Sequence, residues 1–414
     1  MLIHSASQLI TLFGGVQRGQ ALGRLGIIEN GAVLLQGETI AVVGTTHDLL
    51  NKYPHEEIID ATGKVVMPGF VDPHTHLVWA GDRAAEFEMR LQGKSYMEIM
   101  NAGGGITSTV RATRAASLED LMAQSRQRAL GMFRHGTTTA EAKSGYGLAL
   151  NTELLQLEVL LNLDEEGPLE IVPTFLGAHA VPPEYAGQTN EYARLVCDRM
   201  LPTLREWWEK KAGKRPLPYV DVFCEKGAFD LAQTREILNE AKRLGFPLKV
   251  HVDEFENLGG AGLACELGAT SVDHAVKTSP SEINALGKSG TVVVSLPCTP
   301  FGLADPQYSP AKEMLNADCL LALATDLNPG TAWCESMQFV MALACRYLKL
   351  TPAQALAAST INAAAAIGRQ DRIGSLEVGK QADLLILSVD DYRHLAYRFG
   401  GNLVETVIKK GLVR

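Results

Sequence analysis

The sequence predicts an α/β fold: a (β/α)8 TIM-like barrel carrying a small β-sandwich domain built from both chain termini. Three observations predict it. Eight short apolar runs recur along the middle of the chain, each followed by a loop and usually by a helical pattern. Single polar residues with metal-binding chemistry stand at the ends of several of these runs. Further β-rich runs lie at the two ends of the chain, separated by the whole of the middle.

In chain order, the stretch 32–44, with Asn30-Gly31 as a turn, opens the small domain. The eight barrel runs are 65–70, 137–142, 171–176, 219–223, 248–252, 270–273, 291–296 and 320–324. Helical patterns at 118–134, 234–244 and 352–367 alternate with them, which implies a parallel sheet covered on both faces. The turn-rich stretch 374–380 and the run 382–387 return to the small domain. The expected boundaries are 1–66 and 373–414 for that domain and 67–372 for the barrel. A doubly wound open sheet is the alternative, but no Gly-x-Gly-x-x-Gly follows an early strand, and Gly103-Gly104-Gly105 stands in a loop far from one.

With 46% hydrophobic and 21% charged residues, the 414-residue chain has an ordinary globular balance. A formal charge of -9 argues against nucleic acid or an anionic membrane as partner and leaves a small molecule. The seven cysteines form no Cys-x-x-Cys pair and fit a reducing compartment. No basic, cleavable leader and no membrane-length apolar run of roughly 18 residues is present, so a cytoplasmic location is expected. A homodimer is expected only because two-fold assemblies are common.

The segment Val71-Asp72-Pro73-His74-Thr75-His76 places two imidazoles at i and i+2, on the same side of an extended chain. Alone, such a pair is more often an ordinary core or surface feature. Closing the eight runs into a barrel, however, brings His74 and His76 together with His251 from strand five, His274 from strand six and Asp326 from strand eight at the C-terminal mouth, where barrel enzymes do their chemistry. His74, His76, His251 and Asp326 make a ligand set for one ion, zinc or iron, since imidazole and carboxylate suit both. Such an ion generates a nucleophilic hydroxide near neutral pH and polarises a carbonyl. Glu254, three residues past His251, is then the candidate general base and acid, with Asp326 sharing the proton shuttle and His274 donating to a developing oxyanion.

These motifs resemble those of the amidohydrolase superfamily and, more narrowly, of the imidazolonepropionase family. The resemblance covers nearly the whole chain and is carried by residues 25–31, 68–76 and 174–183, by Ala142-Lys143-Ser144-Gly145-Tyr146-Gly147 and by Thr325-Asp326-Leu327-Asn328-Pro329-Gly330-Thr331. It implies that 4-imidazolone-5-propanoate is opened by water to N-formimidoyl-L-glutamate at a single metal ion. Arg83 would then hold the propanoate as a cationic fork. Tyr146, His179 and Glu254 would contact the ring or the new carboxylate, and Asn328, Gly330 and Thr331 would form a product-binding loop. Lys143 is a further candidate anion contact, set against the usual solvated lysine.

Two features depart from the family's pattern. Ala332-Trp333-Cys334-Glu335 replaces the usual Ser-Pro continuation, and position 254 varies between Glu and Gln among members, so the base role of Glu254 stands on physical grounds. Some superfamily members bridge two ions through a carboxylated lysine at the end of strand four. Lys226 lies just beyond that point, and one ion is expected. An aminohydrolase releasing ammonia from a heterocycle and a catalytically silent scaffold are the competing readings. The stretch 93–114 can serve as a cover for the pocket or as a plain connection.

Overall fold

The computed structural model describes residues 1–94, 98 and 103–414. The candidate cover at 93–114 therefore falls partly on residues outside the described set, and of the remainder Ile106–Ala115 is helical.

The terminal strands are β1 (Leu2–Ile10), β2 (Ile27–Gln36), β3 (Thr39–Thr45), β4 (Ile58–Asp60) and β5 (Val65–Pro68). The barrel strands follow as β6 (Phe70–Asp72), β7 (Thr137–Lys143), β8 (Glu170–Ala178), β9 (Tyr219–Cys224), β10 (Lys249–Val252), β11 (Ser271–His274), β12 (Val292–Ser295) and β13 (Leu320–Leu323). The chain ends with β14 (Leu384–Leu387), β15 (Val404–Lys409) and β16 (Leu412–Val413).

The terminal strands form one mixed sheet in the order β16-β15-β14-β5-β1-β2-β3, with β4 beside β1. The two chain ends meet where β14 pairs antiparallel with β5. Three sequence expectations are corrected here. The run 65–70 is not one barrel strand: it divides at Gly69, its first part joining the terminal sheet and Phe70–Asp72 pairing with β7. The expected 66/67 boundary thus falls inside β5. Asn30-Gly31 is not the hairpin turn; Asn30, at φ 48°, lies within β2, and the chain reverses at Gly37, at φ 57°. The N-terminal strand β1 was not foreseen.

Strands β6 to β13 are parallel neighbours in sequence order. The ring closes through a parallel bridge between Thr75 and Leu327, with His76 N donating to Leu327 O at 2.8 Å and Asp326 N to His74 O at 3.2 Å. Closure is made by the segments that carry the candidate ligands. Strand alternation assigns the faces: Val250 and Val252 pack into the core under the helices, whereas Lys249 and His251 occupy the barrel interior. Ser117 and Asp120 form a capping box that starts Leu118–Arg134, matching the expected 118–134. The expected helix 352–367 is instead two, Pro352–Ala358 and Ile361–Ala365. The break frees Ser359 O to accept a hydrogen bond from Val71 N at 3.0 Å, docking the segment on barrel strand one. Among the described residues, no helix is long and apolar enough to cross a membrane.

Candidate active site

His74 is fully buried, and its Nδ1 lies 2.6 Å from Asp273 Oδ2. That contact puts the ring proton on Nδ1 and leaves Nε2 bare, the arrangement in which a metal-binding imidazole is held by a carboxylate behind it. His251 Nδ1 stands 2.9 Å from Asp221 Oδ2, at ion-pair distance but outside hydrogen-bond geometry. Asp326, in the left-handed region at φ 55°, accepts a hydrogen bond from Thr299 on Oδ2 and turns Oδ1 toward His74 Nε2 at 3.4 Å and His76 Nε2 at 3.5 Å. Among the described residues, His74 Nε2, His251 Nε2 and Asp326 Oδ1 are buried without a hydrogen-bond partner. Three unpaired polar atoms facing one another are costly unless a cation satisfies them, so the residues present fit a metal ion.

Potential ligand atoms gather in two overlapping groups, His74 with His76 and Asp326, and His74 with His251 and His274, each within 4.8 Å. The four expected ligands are divided between the two groups, which meet at His74, and His274 joins His251 in the second. What sets His274 apart is Glu254, whose Oε2 is 3.6 Å from its Nε2. Burial pushes the pKa of His74, His76 and His274 well below the ordinary value, so these imidazoles are neutral donors. Burial, with the neighbouring Asp326 and Glu225 charges, pushes the Glu254 carboxyl well above the usual carboxylate range.

A cavity of about 150 Å³ opens beside this cluster. It is lined by every residue proposed from sequence for the substrate: Arg83, Tyr146, His179, Glu254, Asn328, Gly330 and Thr331. His179 Nδ1 is 2.9 Å from Gly145 O, which places its proton there and leaves Nε2 as an acceptor; the ring stacks on His76 with centroids 4.9 Å apart. Asn328 is spent on the loop itself. Its Nδ2 donates to Asp326 O and Thr331 Oγ1, while its Oδ1 accepts from Gly330 N and Thr331 N at 2.7 and 2.8 Å. Within the altered segment, Trp333 meets Trp79 edge to face at 5.0 Å, and Trp79 lies under the Arg128 guanidinium.

Lys143 is not an anion contact of the pocket. It is fully buried in the barrel, its Nζ donating to Glu141 at 2.7 Å and Asp221 at 2.9 Å and lying 3.6 Å from Asp273. Lys249 sits beside it, donating to Ser271 Oγ at 2.7 Å, and that hydroxyl donates to Asp273 Oδ1 at 2.6 Å. Sequence reasoning missed this layer of Glu141, Asp221, Lys249 and Asp273 behind the ligands. A charged residue inside an otherwise apolar barrel strand, as in Tyr219-Val220-Asp221-Val222-Phe223, was the available signal. Lys226 points away, mostly exposed and paired with Glu256 at 2.7 Å, and cannot bridge two ions in the barrel.

A closed parallel barrel whose mouth gathers buried, neutral imidazoles and a carboxylate around bare ligand atoms defines a metal-dependent hydrolase class. Residues 65–413 match the amidohydrolase family. Over nearly their whole lengths, the chain is 53% identical to the imidazolonepropionase of Herpetosiphon aurantiacus, covering 99% of this chain and 97% of that one, and 51% identical to that of Chloroflexus aggregans, covering 100% and 98%. The chain belongs to the amidohydrolase family and, within it, to the imidazolonepropionases. Solved structures share the fold: an adenosine deaminase from Xanthomonas campestris with bound zinc (TM-score 0.72, 20% identity, 100% of this chain and 92% of that one) and the E. coli guanine deaminase (TM-score 0.70, 17% identity, 100% and 99%).

Proposed function

We propose that this enzyme, a hydrolase of the carbon–nitrogen bond in a cyclic amide, opens the ring of 4-imidazolone-5-propanoate with water to give N-formimidoyl-L-glutamate, as a step of histidine degradation. The observation that carries the site assignment is that one cavity is lined by the candidate ligands His76, His251 and Asp326 together with a guanidinium and Glu254. His74, His76, His251 and Asp326 would hold one ion, zinc or iron. Bound there, it supplies an activated water and polarises the ring carbonyl.

The chain's own groups do the rest. Arg83, whose Nε donates to Glu86 at 2.9 Å, keeps its remaining guanidinium donors for the propanoate. His179 Nε2 and the Tyr146 hydroxyl orient the ring. Glu254 takes the proton of the attacking water and returns it to the ring nitrogen as the carbonyl carbon–nitrogen bond breaks. His274, next to Glu254, donates to the carbonyl oxygen as negative charge develops on it. The neutral His cluster and buried walls keep these bonds strong by excluding bulk water. A cytoplasmic location and a homodimer belong to the same reading, and all seven cysteines are free.

The test is to follow loss of ring absorbance with freshly generated imidazolone propionate and weigh the product. Formimidoylglutamate formed without ammonia is expected. No turnover of this substrate, with ammonia released from a heterocyclic amine instead, would overturn the proposal.

A further inference from the structure

Glu225 lies one residue past the end of β9 and is 3% exposed, yet it forms no ion pair among the described residues. Its carboxylate is instead committed to backbone amides. Oε2 accepts from Phe255 N at 3.0 Å, and Oε1 accepts from Glu256 N at 3.0 Å and Lys226 N at 2.9 Å. Phe255 and Glu256 are the two residues that follow Glu254. On the other side of Glu254, Asp253 is held in the left-handed region at φ 55°, its Oδ2 accepting from Thr278 Oγ1 at 2.7 Å. The loop carrying Glu254 is thus pinned on one flank to the loop after strand six and on the other to the end of strand four.

We infer that Glu225 is a positioning residue for proton transfer: by gripping the two amides after Glu254 it fixes the Glu254 carboxyl beside His274 and the candidate ligands. The inference rests on the role proposed for Glu254. Three structural features support it over simple loop anchoring. Two amides that would otherwise need water in a half-buried loop are satisfied by one rigid acceptor. The grip falls on the residues adjoining the proton carrier. Glu225 directly follows barrel strand four, whose position the sheet fixes, so an ångström-scale error in Glu254 is suppressed where such an error is costly.

The experiment is a double-mutant cycle on the metal-loaded enzyme, with kcat, KM and bound metal measured for E225Q, E254Q and the pair. In Glu225→Gln the amide NH2 faces a backbone donor, so at least one grip is lost. Expected are a kcat lower by about tenfold with KM within about twofold and bound metal unchanged. In the E254Q background the same change should lower kcat by less than about twofold, since a residue acting only through Glu254 has nothing left to position. A loss that is equal in both backgrounds, or no loss in the wild-type background, overturns the inference. E254Q retaining more than about a tenth of wild-type kcat identifies instead a failure of the Glu254 assignment on which it rests. If E225Q does not fold, E225D, which keeps both acceptors on a shorter arm, is read through the same cycle by the same criteria.

Discussion

A Cβ at Gly330 would stand 2.4 Å from Nη1 of Arg83, closer than any packed pair of atoms, so the bare backbone there is what lets the guanidinium lie along the loop after strand eight. The obstructing atom is the far end of a flexible side chain. Gly330→Ala is therefore expected to move Arg83 rather than unfold the loop: KM should rise about tenfold or more, the scale of one charge-assisted hydrogen bond, with the melting temperature shifted little. A melting temperature that falls steeply with KM unchanged would show that the glycine serves the backbone and not the substrate. At this scale the sequence was most informative where chemistry is rare. Histidines at strand ends and Asp326 could be picked out because apolar runs seldom end that way, and His74, His76, His251, His274 and Asp326 fall in two groups that share His74. Lys143 belies the expectation that a lysine beside a loop is solvated: Glu141, two residues earlier on the same strand, and Asp221 on strand four hold it inside the barrel. Asn328 could be placed at the pocket, but not its full commitment to the loop, which depends on backbone geometry no residue type encodes.

Between elements, the junction of terminal sheet and barrel is a charged latch. Glu170, the first residue of β8, receives Lys409 of β15 at 3.1 Å and Gln381 at 3.0 Å, with Arg372 at 3.2 Å. Burial alone would raise its carboxyl pKa, but Lys409, Gln381 and Arg372 outweigh it and hold the value at about 2 against an ordinary 4.5. A carboxylate depressed in the fold contributes stability that is fully present above pH 4.5 and is lost as pH falls toward 2, here on the order of 3 kcal/mol. Denaturant titrations across that window should show the wild type losing stability with acid and Glu170→Gln, weaker at neutral pH, losing distinctly less. Parallel slopes for the two proteins would remove Glu170 as the latch. Element positions were legible where caps or periodicity are local, as for Leu118–Arg134. They were not where a distant strand decides: the break at Ser359 answers to Val71, and Gly69 divides an unbroken apolar run because its halves pair with different sheets.

For the whole molecule, the same contacts that close the barrel build the site. Leu327 receives His76 N, and Asp326 N reaches His74 O, so strand one and strand eight cannot be parted without separating candidate ligands. Behind them the fully buried carboxylates of Glu141, Asp221 and Asp273 share Lys143 and Lys249, an interior that apolar packing would fill more cheaply. Its retention makes sense as a frame that fixes His74 and His251 through Asp273 and Asp221. The eightfold rhythm of the chain was readable because parallel strands buried on both faces are apolar throughout, whereas the terminal sheet, in which β5 joins β1 to β14 from the far end of the chain, has no such local signature. Ring opening, as proposed, requires one ion held by four side chains, His74, His76, His251 and Asp326. The direct measurement is turnover of imidazolone propionate against bound metal, as enzyme stripped by a chelator is reloaded with zinc or iron. Rate rising in proportion to metal and reaching its plateau at one equivalent per chain, with His74→Ala neither binding nor turning over, is the expected result. Full activity in stripped enzyme, or a plateau reached only at two equivalents, would contradict it.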